Sequence, residues 1–479
     1  MWTLQNFTDY IAPLFKVLYL ITALGAVLVV VSENRNPLKT ISWVLVLLLL
    51  PFVGLVFYFF FGQNTRKLII ISRRTYRRIM RRPMTYLLPQ VLNEIPDELE
   101  PFVALNYRNT HAPVLDYNNL VIYTSGGEMF DALKEAIRNA KEYIHLQFYI
   151  FDNDTIGHEF RDLLIAKARE GVKVRVMYDD VGNFHVLNSF YRGMEKAGIE
   201  VACYMRVVFP LFTSKVNYRN HRKLTVIDGE IGFIGGMNIA DRYRDGVSWG
   251  RWRDTHVSFR GAGVQGLQSS FLIDWYTATK TLLSDKEYFP PYKVEPSPSL
   301  LQIVPGGPID RWRSLLQATV LIISRARRYL YIQTPYLLPT EGINQALQTA
   351  ARCGVDARIM LPHRCDAFMP GTASKSYVSE LLRAGVKVYL YTEGFLHSKL
   401  IVCDDYVSVV GSANMDFRSF EHNFETNAYL YDRDTALRFK EMFLADEGDC
   451  QKVSYEKWRK RPLYKRFTES VMRLFSPLL

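Results

Sequence analysis

Cysteine is scarce in this chain: five residues in 479 (Cys203, Cys353, Cys365, Cys403 and Cys450), an odd number with no Cys-x-x-Cys spacing. That excludes a disulfide framework, argues against a zinc knuckle, and leads us to expect reduced, cytosol-facing thiols. The nine histidines include no His-x-x-x-His pair, so the usual helical metal-ligand spacing is missing as well. Met1–Asp9 has no basic cluster ahead of the first apolar run, which argues against a cleaved signal peptide. What is abundant is core material: 48% hydrophobic and 14% aromatic residues against 22% charged ones. Disordered and fibrous classes are thereby excluded, and at roughly 150 residues per domain the length predicts about three units.

The net charge of +11 is unevenly placed. Residues 1–65 carry +1, Arg66–Arg82 carries +8 with no acid, Lys452–Arg473 carries +6, and the body between the two basic stretches is left at −4. A slightly acidic body with basic flanks does not suit a nucleic-acid cleft; it suits an enzyme working at an anionic membrane leaflet. Two apolar runs, Ile11–Val31 and Ile41–Phe61, each reach the ~20 residues that a bilayer-crossing helix needs. The second is uncharged and contains Pro51, which speaks against a buried core hairpin. A connecting loop of +1 and a following segment of +8 put both ends of this hairpin in the cytoplasm by the positive-inside rule, and the catalytic body with them.

The body contains an internal duplication. AIRNAKEYIHLQFYIF (Ala136–Phe151) is answered by VLIISRARRYLYIQTPYLL (Val320–Leu338), AKAREGVKVRVMYDD by QTAARCGVDARIMLPH, and YRGMEKAGIEVACY by VSELLRAGVKVYLY. Each stretch reads as helix, glycine turn (Gly171, Gly354, Gly198, Gly385) and buried strand, the rhythm of an α/β protein with a parallel-rich sheet. The expected organisation is a membrane hairpin at 1–65, a basic connector at 66–117, a first α/β half at 118–287, a Pro-rich linker at 288–308, a second half at 309–450, and a basic tail at 451–479.

Each half ends in the same polar pattern: NHRKLTVIDGEIGFIGGMN with His221, Lys223 and Asp228, and LHSKLIVCDDYVSVVGSAN with His397, Lys399 and Asp404. If the pattern lies in a strand, His and Lys two apart share one face, while Leu224, Val226, Leu400 and Val402 point the other way. A single His-x-Lys pair is explained by a solvated strand face. Two copies at equivalent places, each followed by Gly-Gly-x-Asn (Asn238) or Gly-Ser-x-Asn (Ser412, Asn414), are not. The set suits phosphodiester transfer: two ammonium groups with Ser412 and the Asn amides can stabilise phosphorane charge without a metal. One imidazole attacks phosphorus while the other, protonated, donates to the leaving alcohol, so a covalent phosphohistidine follows and no cofactor is called for.

The duplicated His-x-Lys-x4-Asp pattern resembles that of the phospholipase D superfamily, and the chain resembles bacterial cardiolipin synthases over nearly its whole length. Arg35, Pro37, Thr40, Trp43, Pro51, Gly54, Tyr58 and Gly62 match that family's membrane segment, and WRDTHVSFRG and NMDFRSFEHNFETNA match the blocks that follow its two motifs. The resemblance implies two α/β/α sandwich halves packed as a pseudo-dimer around one shared site, preceded by a transmembrane hairpin in the bacterial cell membrane. It implies His221 as nucleophile and His397 as general acid, Asp254 and Glu425 orienting His221 and His397 respectively, and Asp228 and Asp404 in a supporting part. It further implies phosphatidylglycerol as the lipid substrate, with no nucleic-acid partner. A hydrolytic phospholipase D, a transferase using another alcohol, a nuclease of the superfamily and a non-catalytic scaffold are the other readings. The two complete motifs oppose the scaffold; the hairpin and acidic body oppose the nuclease. After Pro462, Leu463, Phe467, Val471, Leu474, Phe475 and Leu478 recur at helical spacing, so the tail is expected as an amphipathic helix, either packed on the body or lying on anionic lipid.

Overall fold

The computed structural model describes residues 12–32, 37–50, 52–58, 62, 95–207, 218–291 and 299–479. The chain divides into a small N-terminal unit and a large body. In the small unit a 21-residue apolar helix, Ala12–Ser32, packs on a 13-residue helix, Pro37–Leu49. Ala23, Val30 and Leu47 are buried, and the Tyr19 hydroxyl donates to the Leu47 carbonyl. Only the first helix is long and apolar enough to cross a membrane among the described residues. The second expected span is interrupted: its helix stops at Leu49, shortly before Pro51, and resumes as Val53–Phe57 after Phe52 at φ 61°. A residue preceding proline is disfavoured in the helical region, which accounts for the stop. The Arg66–Arg82 cluster lies outside the described residues.

The body holds two sheets built to one plan. The first contains β1 (Asn118–Tyr123), β2 (Tyr143–Phe148), β3 (Lys173–Asp179), β4 (Glu200–Tyr204), β5 (Leu224–Ile227), β6 (Ile231–Gly235) and β7 (His256–Arg260), in the order β1-β7-β6-β5-β2-β3-β4. The second contains β8 (Leu300–Gly306), β9 (Tyr329–Gln333), β10 (Asp356–Pro362), β11 (Lys387–Tyr391), β12 (Leu400–Cys403), β13 (Val407–Gly411) and β14 (Glu425–Leu430), in the order β8-β14-β13-β12-β9-β10-β11. The two orders are the same, as the duplication requires. Leu115–Asp116 and β15 (Cys450–Lys452) extend the edges of the second sheet. Gly171, Gly198, Gly354 and Gly385 all have φ near +90 to +105°, the left-handed turn that ends a helix before the next strand.

Three apolar layers follow. One lies under the helices Gly126–Arg138, Thr155–Arg169 and Asn188–Lys196 of the first half. A second lies under Ser314–Arg325, Glu341–Arg352 and Phe368–Ala384 of the second. The third joins the halves: Leu224 and Val226 from β5 share it with Leu400 and Val402 from β12, and with Phe271, Trp275, Phe439 and Phe443 from the helices Gly263–Thr279 and Arg433–Glu447. Two expected boundaries move. The segment read as a linker at 288–308 contains β8, so the second sheet begins before residue 309. The connector at 66–117 supplies a helix, Glu100–Thr110, and its Phe102 and Val103 sit in the second half's core.

Candidate active site

β5 runs antiparallel to β2, with Leu224 opposite Gln147, and β12 runs antiparallel to β9, with Leu400 opposite Gln333. The motif histidines therefore stand at the carboxyl ends of the parallel strands, where α/β sheets commonly present ligand-binding groups. They stand just ahead of the strands rather than within them: ladder pairing starts at Leu224 and Leu400, so His221, Lys223, His397 and Lys399 lie on the entering chain. His and Lys still act together, because Lys223 Nζ donates back to the His221 carbonyl at 2.5 Å and Lys399 Nζ does the same to His397.

The two halves complete each other here. His221 N–H donates to the Phe424 carbonyl at 2.9 Å and Phe424 N–H to the Arg219 carbonyl at 2.8 Å, fastening the first motif to the chain entering β14. In the mirror arrangement Gly394–Leu396 pairs in parallel with Arg251–Arg253, and His397 N–H donates to the Arg253 carbonyl at 2.7 Å. The carboxylates are consequently crossed. Glu425 lies 3.0 Å from His221 Nδ1, and Asp254 lies 2.6 Å from His397 Nδ1. This corrects the expectation that Asp254 serves His221 and Glu425 serves His397: each carboxylate directly follows a backbone run that pairs with the motif of the other half.

Both carboxylates are fully buried. Burial alone pushes Asp254 up, but Lys399 and His397 outweigh it and hold its pKa below the usual carboxylate range; His221, Lys223 and the Ser412 hydroxyl do the same for Glu425. Burial lowers His397 to about 4, helped by Lys399 and opposed by Asp254, and lowers His221 as well, opposed by Glu425. Burial also depresses Lys399 to about 8 and Lys223 well below its ordinary value. Lys223 feels Glu425 and Lys399 from the second half and Asp254 from its own. Lys399 Nζ also lies 2.9 Å from His397 Nδ1. One Nδ1 cannot donate to Asp254 and accept from an ammonium at once, and the 2.6 Å contact to a buried carboxylate decides for donation. In each half Nδ1–H then points at the carboxylate and Nε2 is left for chemistry. Aromatic rings wall the histidines: Tyr149 beside His221 at 5.0 Å, and Trp252 beside His397 at 5.2 Å.

Other expected site residues are placed differently. Asp228 accepts from the backbone N–H groups of Lys141, Glu142 and Tyr143, and Asp404 from those of Arg327, Arg328 and Tyr329. They sit past the far ends of β5 and β12, roughly 16 Å along the strand from their lysines at ~3.3 Å per residue, and tie down the starts of β2 and β9. Asn238 is occupied by Ile150 N–H at 3.0 Å and the Tyr243 hydroxyl at 2.5 Å. Ser412 donates to Glu425 at 2.5 Å, so it holds the carboxylate. The equivalent position in the first half is Gly236, where a Cβ would fall 2.1 Å from Asp254 Oδ1. Asn414 lies in the same loop, its Oδ1 buried without a partner.

Sequence reasoning overlooked a second ring of buried groups. Arg222, between His221 and Lys223, reaches Asp274 at 2.6 Å, the Glu425 carbonyl at 3.0 Å and the Gly306 carbonyl at 3.2 Å. Across the pseudo-dimer Arg253 of the first half pairs with Asp446 of the second at 2.6 Å, and Gln147 and Gln333 donate to Asp274 and Asp446 respectively. The signal was present: Gln147 and Gln333 occupy equivalent places in the repeat. Among the described residues no group of three or more His, Cys, Asp or Glu side chains is arranged to hold a metal.

The family described as "Cardiolipin synthase, PLD-like domain" matches residues 133–246 and 320–446, and "Phospholipase_D-nuclease N-terminal" matches residues 17–63. The cardiolipin synthase of Geobacillus kaustophilus is 39% identical over 97% of this chain and 94% of its own length. The chain belongs to the cardiolipin synthase family. The major cardiolipin synthase of Bacillus subtilis is 36% identical over 97% of the chain and 99% of its own length. The crystal structure of phosphatidylserine synthase from Haemophilus influenzae superposes with a TM-score of 0.61 at 15% identity, covering 80% of this chain and all of that one, a likeness of fold. The chain is thus a phosphatidyltransferase of the phospholipase D superfamily with two PLD-like halves. Its family's N-terminal segment and its long apolar helix associate it with a membrane.

Proposed function

We propose that the chain joins two phosphatidylglycerol molecules into cardiolipin and glycerol, with the crossed His–carboxylate pairs as the observation that carries the reading. Nδ1 of each imidazole is committed to a buried carboxylate, so each Nε2 can act at phosphorus or at an alcohol oxygen. His221 Nε2 attacks the phosphorus of the first lipid. The phosphorus–oxygen bond to glycerol breaks, and His397 Nε2–H delivers its proton to the departing oxygen. Neutral His397 then takes the proton from the terminal hydroxyl of a second phosphatidylglycerol, whose oxygen attacks phosphorus and releases His221. Lys223 and Lys399 stabilise the charge on the phosphoryl oxygens. The diester's own negative charge offsets the ammonium field that depresses His397, so lipid binding and protonation of the general acid are coupled.

The chain is proposed to sit in the bacterial cell membrane as a multi-pass protein with its catalytic body on the cytoplasmic side. The excess of +8 that follows the second apolar run supports this. Incubating the full-length protein in detergent with phosphatidylglycerol alone tests the reaction. Cardiolipin with one equivalent of glycerol is expected; phosphatidic acid in its place would make water the acceptor and overturn the transferase assignment.

A further inference from the structure

The C-terminal helix Leu463–Arg473 is inverted relative to an ordinary surface helix. It docks against Phe368–Ala384 through Met472, which packs with Ala373 and Tyr377, and through polar groups: Arg473 Nη2 reaches Glu380 at 2.9 Å and Ser476 meets the Tyr377 hydroxyl at 3.2 Å, while Glu469 is buried in a bidentate pair with Arg461 of the same tail. Its apolar stripe points away from the body. Leu463 and Leu474 are each 77% exposed and Phe467 is 72% exposed. At 100° per residue these three fall within about 40° of one another, on the side opposite Glu469 and Met472. Water does not favour that arrangement, and burying three such side chains in an apolar phase does.

The stripe leads to the active site. Residue 473 lies beside 380, 476 beside 377, and Leu479 packs with Leu338, Ala373 and Tyr377, so the tail runs antiparallel to Phe368–Ala384 toward its amino end. Past that end stand the exposed Phe368 (71%) and Met369. Two residues before Phe368, Asp366 accepts from the Tyr336 hydroxyl at 2.6 Å, three residues past the end of β9 at Gln333, which stands opposite Leu400 next to Lys399, so this turn lies at the same end of the sheet as the site. The first half repeats the feature. The turn after β3 carries the exposed Phe184 (84%) and Leu187, and Asp179 at the end of β3 accepts the backbone N–H of Asn220, next to His221. On this helix exposed Arg466 lies beside the stripe and exposed Lys465 faces the other way, while exposed Lys457, Arg459 and Lys460 immediately precede the helix.

We propose that the tail stripe, the Phe368 turn and the Phe184 turn form one docking surface whose occupant is an anionic phospholipid bilayer, so that the two motif histidines open onto the lipid. The basic residues of the tail favour anionic headgroups, and the protruding apolar side chains, carried on a turn beside the catalytic mouth in each half, favour the acyl boundary. The inference rests on the lipid-substrate reading above, and its test separates the two.

Full-length protein carrying p-benzoylphenylalanine at position 467, at 368 or, as a control on the far end of the sheets, at 324 is reconstituted into phosphatidylglycerol-containing vesicles and irradiated. Phospholipid adducts by mass spectrometry at 467 and 368, without adducts at 324, are the expected result. Adducts between two protein chains, or no lipid adducts at 467 and 368, overturn it. In parallel, the double variant Phe467→Asp with Leu474→Asp should lose at least tenfold in turnover on vesicles and keep its turnover on a short-chain, monomeric phosphatidylglycerol. Equal turnover on vesicles, or equal loss on both substrates, counts against the surface. If the unaltered protein makes no cardiolipin from either substrate, the proposed reaction fails while the adducts still judge the docking surface.

Discussion

Replacing Asp254 by Asn should behave as an injury to His397, the histidine of the opposite half, and replacing Glu425 by Gln as an injury to His221. Asp254 Oδ2 lies 2.6 Å from His397 Nδ1 with both groups buried. Taking charge centres ~4 Å apart and an effective dielectric of ~20, the carboxylate stabilises the imidazolium by about 4 kcal/mol, or roughly a factor of 10³. An Asn that turns its amide toward Nδ1 would in addition impose the wrong tautomer, a change that costs about 10⁴ in kcat in serine proteases. A loss of roughly 10³–10⁴ is therefore expected for either variant on phosphatidylglycerol. The assay that separates them uses a phosphatidyl ester of p-nitrophenol, whose leaving group needs no proton. Loss of the general acid should be rescued on this ester, seen as a burst of about one p-nitrophenolate per protein molecule, whereas loss of the nucleophile should not. His397→Ala and Asp254→Asn should share the rescue; His221→Ala and Glu425→Gln should both lack it. If Asp254→Asn groups with His221→Ala, the crossed pairing is refuted, whichever histidine proves to be the nucleophile.

Lys399 sits near pKa 8, so activity should fall as pH rises through that value and the ammonium is lost. In Lys399→Arg that alkaline limb should disappear or move upward in a kcat/KM profile. Asp228→Ala and Asp404→Ala each remove an acceptor of three backbone N–H groups, so each should cost about 2–4 kcal/mol in stability, read as a lower Tm, while kcat per folded molecule holds. A large kcat loss in a protein of unchanged Tm would return those residues to the chemistry. Turnover should also persist in excess chelator, and abolition by EDTA with restoration by a divalent ion would contradict the stated mechanism.

The repeat was legible because it is written in local signals. Helix periodicity, the four turn glycines and the apolar strands depend on neighbours close in sequence, and they gave the two halves and the positions of both motifs. What could not be read depends on which edges meet in space. Nothing near Asp254 says that Arg251–Arg253 pairs with Gly394–Leu396, so the carboxylates were assigned within their own halves. β8 was hidden because Pro305 and its neighbours imitate a linker, although Pro305 sits in register opposite Thr426. Asn238 and Ser412 look like phosphate donors from composition, yet a buried amide or hydroxyl is claimed by whatever polar group lies nearest, and here those are Tyr243 and Glu425.

The crossed carboxylates bear on how such a molecule came to be and how it can be taken apart. Neither half owns a complete catalytic pair, so a lone half is chemically inert, and only assembly creates reactivity toward a membrane full of phosphodiesters. In a two-chain arrangement with strict twofold symmetry both pairs would be identical, and the two histidines would differ only once a substrate bound. Fusion into a single chain lifts that constraint, and the divergence is visible. One histidine answers to an aspartate pressed against Gly236, the other to a glutamate held by Ser412, Ser419 and Asn423. A duplicated chain can write the division of labour between two once-equivalent imidazoles into its sequence, whereas in a symmetric dimer only the bound substrate can impose it.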